Sequence, residues 1–173
     1  MRWMWIDRII EFEPEKRMVA VKSISLSEDH LHDHFPATDS LDAQPLMPAT
    51  LIIEGMAQTA GILVGSVNGF TEKVILAKIA RARIEADVFP GQTIRFDATI
   101  ERIDAGGAAT TGIIERRSNG IEDEGWEPIG CIDLMFSHID QNMAGIDFPE
   151  HNFVFSDNFK MILHSAGLEH LVR

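Results

Sequence analysis

One cysteine, Cys131, is the whole thiol complement of this chain. An intramolecular disulfide framework is thereby excluded, and a buried thiol packing as a small hydrophobe is expected. Positive charge is scarce as well: 15 Lys and Arg stand against 27 Asp and Glu, the formal net charge is -12, and no stretch is rich in basic residues. A nucleic-acid backbone would find little to bind here. Uninterrupted apolar runs are missing too. The N-terminus begins apolar, but Asp7 and Arg8 end the run before a signal-peptide core forms. The longest apolar stretch, Leu46 to Phe70, carries Glu54, Gln58, Thr59 and Asn68, groups that would be costly in lipid. A cytoplasmic protein with neither membrane nor nucleic acid as partner is expected. Internal repeats and low-complexity segments are also absent.

What is present is a chain of 173 residues, 45% of them hydrophobic, enough for one well-buried core and too little for two ordinary domains. We expect a domain over residues 1–140 and a C-terminal extension over 141–173 that packs on the domain or on a partner chain. Residues 4–13 and 18–26 read as two strands joined through Pro14-Glu15-Lys16. Residues 27–47, with His30, His32, His34, Pro36 and Pro45, show neither helical nor strand periodicity and read as a long loop. Pro48 then opens a helix to about Val64 that is apolar on nearly every face and so belongs in a core. Its glycines, Gly55, Gly61 and Gly65, would each weaken an isolated helix by about 1 kcal/mol relative to Ala, which implies tight packing against a sheet.

The second half is strand-rich over 73–88, 92–103, 107–117 and 128–140, with turns at Pro90-Gly91, Gly106-Gly107 and Ser118-Asn119-Gly120. Ile94, Phe96, Ala98 and Ile100 alternate with Arg95, Asp97, Thr99 and Glu101, giving one buried and one wet face. The fold class expected is α+β, one long central helix wrapped by a curved antiparallel sheet. In the tail, a short run from Asn152 to Phe155 precedes a helix over Asn158 to Ala166, capped by Ser156 or Asp157 and stopped by Gly167.

Chemistry concentrates in the loop and the helix entry. His34-Phe35-Pro36 is followed by Pro45-Leu46-Met47-Pro48-Ala49-Thr50, and then by Glu54 and Gln58 on the helix. In an apolar setting a neutral imidazole accepts a proton near neutral pH and a carboxyl group can return one. A helix starting at Pro48 also leaves the N–H groups of Ala49 and Thr50 free to meet a carbonyl that gains negative charge. A base, an acid and a helix N-terminus suit proton removal beside a thioester carbonyl and loss of a β-hydroxyl group.

At these residues the chain resembles the 3-hydroxyacyl-[acyl-carrier-protein] dehydratases, whose motif runs approximately H-F-P-G-x-P-x-M-P-G-x-L-x-x-E-x-x-x-Q. The resemblance puts His34 on the catalytic histidine, Glu54 on the catalytic acid, Ala49 on the glycine whose amide faces the thioester oxygen, and Gln58 on the later glutamine. Phe35, Pro36, Met47, Pro48 and Thr50 would accompany Ala49 and Gln58 around the substrate. Asp7-Arg8-Ile9, Leu76-Ala77-Lys78-Ile79 and Val88-Phe89-Pro90-Gly91-Gln92 extend the likeness over about residues 3–140. It implies a hotdog fold and a substrate carried on acyl carrier protein or coenzyme A, with no cofactor or metal. It further implies a homodimer whose active sites each take the histidine from one chain and the acid from the other, with assembly into a hexamer as a trimer of dimers left open. Ala37 and Ala49 stand where the family has glycine, and Ala37 to Gln44 lengthen the loop.

Other interpretations compete. A hotdog acyl thioesterase would use a carboxylate to activate water, and a silent acyl-thioester-binding or scaffold protein would bind without turnover. His30-Leu31-His32-Asp33-His34, if extended, would put alternate imidazoles on one face like a metal-binding run. Lys78, Arg81, Arg83 and Arg95 could form a basic rim for an acidic carrier or a coenzyme A phosphate.

Overall fold

The computed structural model describes residues 4–120, 125–139, 155 and 157–172. Two short strands, β1 (Arg8–Glu13) and β2 (Arg17–Ser23), form the N-terminal hairpin. A five-residue helix, α1 (Asp29–Asp33), precedes the long helix α2 (Ala49–Val67). Four long strands follow: β3 (Lys73–Ile84), β4 (Gln92–Asp104), β5 (Gly107–Ser118) and β6 (Glu127–Ile139). A final helix, α3 (Asp157–Ser165), and a single 3-10 turn at Glu169–Leu171 complete the described chain.

The strands make one antiparallel sheet of six in the order β1-β2-β4-β5-β6-β3. Period-two alternation works as expected in β4: Ile94, Phe96 and Ala98 are fully buried, while Arg95 and Asp97 face the other side and are only partly covered. Ile132, Leu134 and Phe136 of β6 join the same core. Against this face lies α2, burying Ile52, Met56, Ala57, Ala60, Ile62, Leu63 and Val64. By length and composition α2 could cross a membrane; here it is the core helix of the sheet.

Small residues set the distance between layers. A Cβ on Gly55 would strike the Phe96 ring, and one on Gly112 the Met56 side chain. Gly65 faces Phe70 and Phe155 in the same way, and Phe155 also packs edge-on to Phe159 at 4.8 Å. Phe159, Ile162 and Leu163 of α3 are buried in the common core. At its end Gly167 takes φ +71°, and Leu168 N donates to Leu163 O at 2.8 Å, a left-handed C-terminal stop.

Several expectations need correction. The stretch 27–47 is not all loop, because residues 29–33 are helical; Leu31 is 1% exposed and anchors that turn. α2 runs to Val67, a turn beyond Val64, and β3 stops at Ile84, short of 88. Cys131 is half-buried, since it occupies the sheet face opposite Ile132 and Leu134. Lys78, Arg81 and Arg83 lie on edge strand β3, three strand positions from Arg95 on β4, so the four do not form one rim. Arg81 pairs with Asp133 at 2.9 Å and Arg83 with Glu85 at 2.6 Å, which spends part of their charge locally. The boundary near residue 140 and most of the run Asn152 to Phe155 lie outside the described residues.

Candidate active site

His34 caps the C-terminus of α1, its N–H donating to His30 O at 3.1 Å. A helix of five residues is far too short to persist alone. Burial of Leu31 and an edge-to-face contact of His30 with Trp5, centroids 4.9 Å apart, hold it in place. In a helix, successive alternate residues diverge, so His30, His32 and His34 do not share the face that an extended metal-binding run requires.

The added loop residues fold back on themselves. Gln44 N donates to Phe35 O at 3.0 Å, and Thr38 N to Leu41 O at 2.9 Å, while Thr38 Oγ1 accepts from the N–H groups of Ser40 and Leu41. Phe35 and Gln44 are thus neighbours, and the insertion bulges outward without separating His34 from the helix entry. Met47 is 2% exposed, and its N–H donates to Val88 O at 2.8 Å, tying that entry to the connection between β3 and β4.

Pro48 takes φ -58° and ψ 132° ahead of α2 and supplies no side-chain cap. Leu51 N and Ile52 N both donate to Pro48 O. The N–H groups of Ala49 and Thr50 have no hydrogen-bond partner among the described residues, as the first turn of a helix dictates. Ala49 is not among the non-glycine residues with positive φ, which among the described residues are Glu15 and Phe70. Its methyl group therefore brings no left-handed strain to a place where the resembled family has glycine.

These elements enclose an open cleft of about 370 Å³ lined by His34, Phe35, Gln44, Leu46, Met47, Ala49, Ile52, Ile84, Ala86 and Asp87. The walls are mainly apolar, with one imidazole and one carboxylate. Phe35 is half exposed and tilts against His34, ring centroids 4.2 Å apart. Of the residues expected from sequence, His34, Phe35, Met47 and Ala49 meet here. Pro36 and Thr50 are exposed and do not line the cleft, and Pro48 is buried behind it. Gln44, Leu46, Ile52, Ile84, Ala86 and Asp87 were not among the expected site residues: the last three stand at and just beyond the end of β3, at a distance in sequence that no local pattern spans.

Glu54 and Gln58 lie farther along α2, outside the lining of this cleft. Glu54 is half-buried. Gln58 Nε2 donates to Glu54 Oε1 at 2.9 Å, the i to i+4 spacing of one helix face, and Gln58 Oε1 accepts the N–H of Trp5 at 2.9 Å. One chain thus presents a histidine half and a carboxylate half, each well supported, in separate places.

A long helix laid in a curled antiparallel sheet, with a histidine-headed apolar cleft at the helix N-terminus, defines the protein as a hotdog-fold protein. Solved structures share that fold: the dehydratase heterocomplex ApeI:P from Xenorhabdus doucetiae aligns with TM-score 0.56 and 14% identity over 80% of this chain and 84% of that one. The smu.793 protein of Streptococcus mutans, bound to acetyl CoA, aligns with TM-score 0.55 and 8% identity over 76% and 87% of the two chains. The FabA-like domain model matches residues 2–120, and the chain belongs to that family. A 3-hydroxyacyl-[acyl-carrier-protein] dehydratase FabZ of Caldanaerobacter subterraneus subsp. tengcongensis is 33% identical over 135 residues, 78% of this chain and 86% of the relative. Another FabZ, from Chloroflexus aggregans, is 36% identical over 105 residues, 60% and 69% of the two chains.

Proposed function

We infer that this protein is a lyase that dehydrates a 3-hydroxyacyl thioester to the trans-2-enoyl thioester in fatty acid synthesis, with the acyl group carried on acyl carrier protein or coenzyme A. The observation that carries this assignment is the cleft itself: His34, apolar walls and Ala49 at the N-terminus of α2 meet in one place, in a chain related to FabZ enzymes. His34 takes the proton beside the carbonyl, the amide of Ala49 at the N-terminus of α2 receives the growing negative charge on the thioester oxygen, and the electron pair expels the β-hydroxyl group. Glu54 gives that group its proton, so water leaves; solvent exchange then returns His34 and Glu54 to their starting states.

The separation of Glu54 from His34 within one chain supports a homodimer in which each supplies the other's missing half. Edge strand β3 offers the surface: its backbone edge opposite β6 pairs with no strand among the described residues, and residues 77–83 are exposed. A long unpaired edge of this kind is a template for a second copy. A trimer of such dimers is the larger assembly that fits the reading, and the cytoplasm is the compartment.

The test is incubation of the purified protein with short- to long-chain 3-hydroxyacyl thioesters on both carriers. Enoyl thioester formed by wild type and lost in His34→Ala and Glu54→Gln is the expected result. Free thiol without enoyl product would instead mark a thioesterase, and binding without turnover a silent acyl-thioester-binding protein.

A further inference from the structure

We propose that Trp5 is a positioning residue that serves both halves of the catalytic pair, the histidine through its ring and the carboxylate through its backbone; this rests on the dehydratase assignment above. Trp5 precedes β1 and is 8% exposed. Its N–H donates to Gln58 Oε1 at 2.9 Å, and a backbone N–H can only donate. Gln58 must therefore present its carbonyl oxygen to Trp5 and its NH₂ group to Glu54 Oε1, 2.9 Å away. Glu54 Oε1 is an acceptor whatever the state of the carboxyl group, so the transferable proton sits on Oε2. Trp5 thus decides which oxygen of the acid does the work.

The ring acts on the other half. The indole meets His30 edge-on, centroids 4.9 Å apart and planes at 78°, and His30 O holds the N–H of His34 at 3.1 Å. α1 has no side-chain cap, and its single turn gains order only from tertiary contacts. Loss of the indole frees the end of that turn, where His34 sits. Trp5 does not line the cleft, so the effect falls on alignment in the transition state and spares binding. In the dimer His34 and Glu54 of one chain work in different sites, and one Trp5 serves both.

Three variants test this. Trp5→Ala keeps the N–H and removes the ring, Trp5→Phe keeps both the N–H and an aromatic edge, and His30→Leu removes the ring partner alone. We expect Trp5→Ala to lower kcat about 10- to 100-fold with KM within about twofold, Trp5→Phe to restore most of it, and His30→Leu to lower kcat several-fold with KM unchanged. Hydrogen exchange of the His34 amide should quicken in Trp5→Ala and His30→Leu. A kcat within twofold of wild type in Trp5→Ala, or a loss carried mainly by KM, overturns the proposal. If Trp5→Ala does not fold, full kcat in His30→Leu overturns it equally. Wild-type protein that turns over no thioester defeats the dehydratase assignment instead; the exchange of the His34 amide still decides whether Trp5 orders that turn, and unaltered exchange refutes it.

Discussion

Phe96 of β4 occupies the space that a side chain at position 55 of α2 would need: a Cβ built on Gly55 would lie 2.7 Å from Phe96 Cε2 and closer still to Cζ. The ring is fully buried. Glycine at 55 lets α2 lie directly on the sheet, one turn from the cleft and next in sequence to Glu54.

Gly55→Ala should therefore destabilise the protein by about 1–3 kcal/mol through overpacking, despite the better helix propensity of alanine. Urea unfolding measures this, and Phe96→Leu in the same chain should recover part of the loss. Equal or greater stability of Gly55→Ala would mean that α2 and β4 are not in such close contact.

Burial of its ring holds the His30 imidazole below its ordinary value of 6.5, with Lys22 and His34 adding to the effect and Glu28 and Asp29 opposing it. The unfolded chain then takes up a proton on His30 before the folded one does. The contribution to stability is complete above pH 6.5 and is lost as pH falls through the lower folded value. Against wild type, His30→Gln should flatten unfolding free energy as pH falls below 6.5, a difference read from urea midpoints on either side of that pH; identical slopes would show that His30 does not titrate anomalously.

Phe159 is 7% exposed and lies in the Phe70, Phe155 and Phe159 cluster at the end of α2. Phe159→Ala should cost about 3–5 kcal/mol, with a matching fall in thermal midpoint. A loss under 1 kcal/mol would mean that α3 is not part of the cooperative fold.

Ala86 stands in the cleft wall beside Ile84 and Ile52. Ala86→Phe should narrow it, lowering kcat/KM for long 3-hydroxyacyl thioesters about tenfold or more while sparing the shortest. Equal effects on all chain lengths would place the acyl chain elsewhere.

Much of this architecture was legible because it rests on local repetition. The alternation from Ile94 to Ile100 and the apolar run after Pro48 each state a period, and Pro90-Gly91 ends a segment as turn chemistry requires, Gly91 taking φ +86°. The helix α1 was not legible, since five residues hold too little periodicity to register and their conformation is imposed by Leu31 and Trp5. Cys131 was misplaced because apolar neighbours on both sides conceal which face of a strand a residue occupies. The motif brought His34, Met47 and Ala49 to one cleft, but Ile84, Ala86 and Asp87 arrive there through sheet topology, and the tie from Trp5 to Gln58 spans the distance from the N-terminus to α2. Long-range geometry of that kind leaves no trace in spacing.

If His34 and Glu54 act together from different chains, two variants that are each inactive should complement one another. His34→Ala and Glu54→Gln, unfolded together and refolded as a mixture, should regain about a quarter of wild-type dehydratase activity, because half the dimers are mixed and each of those has one intact site of two. Each variant alone should remain inactive. A mixture as inactive as its components, with mixed dimers demonstrably formed, would contradict the account.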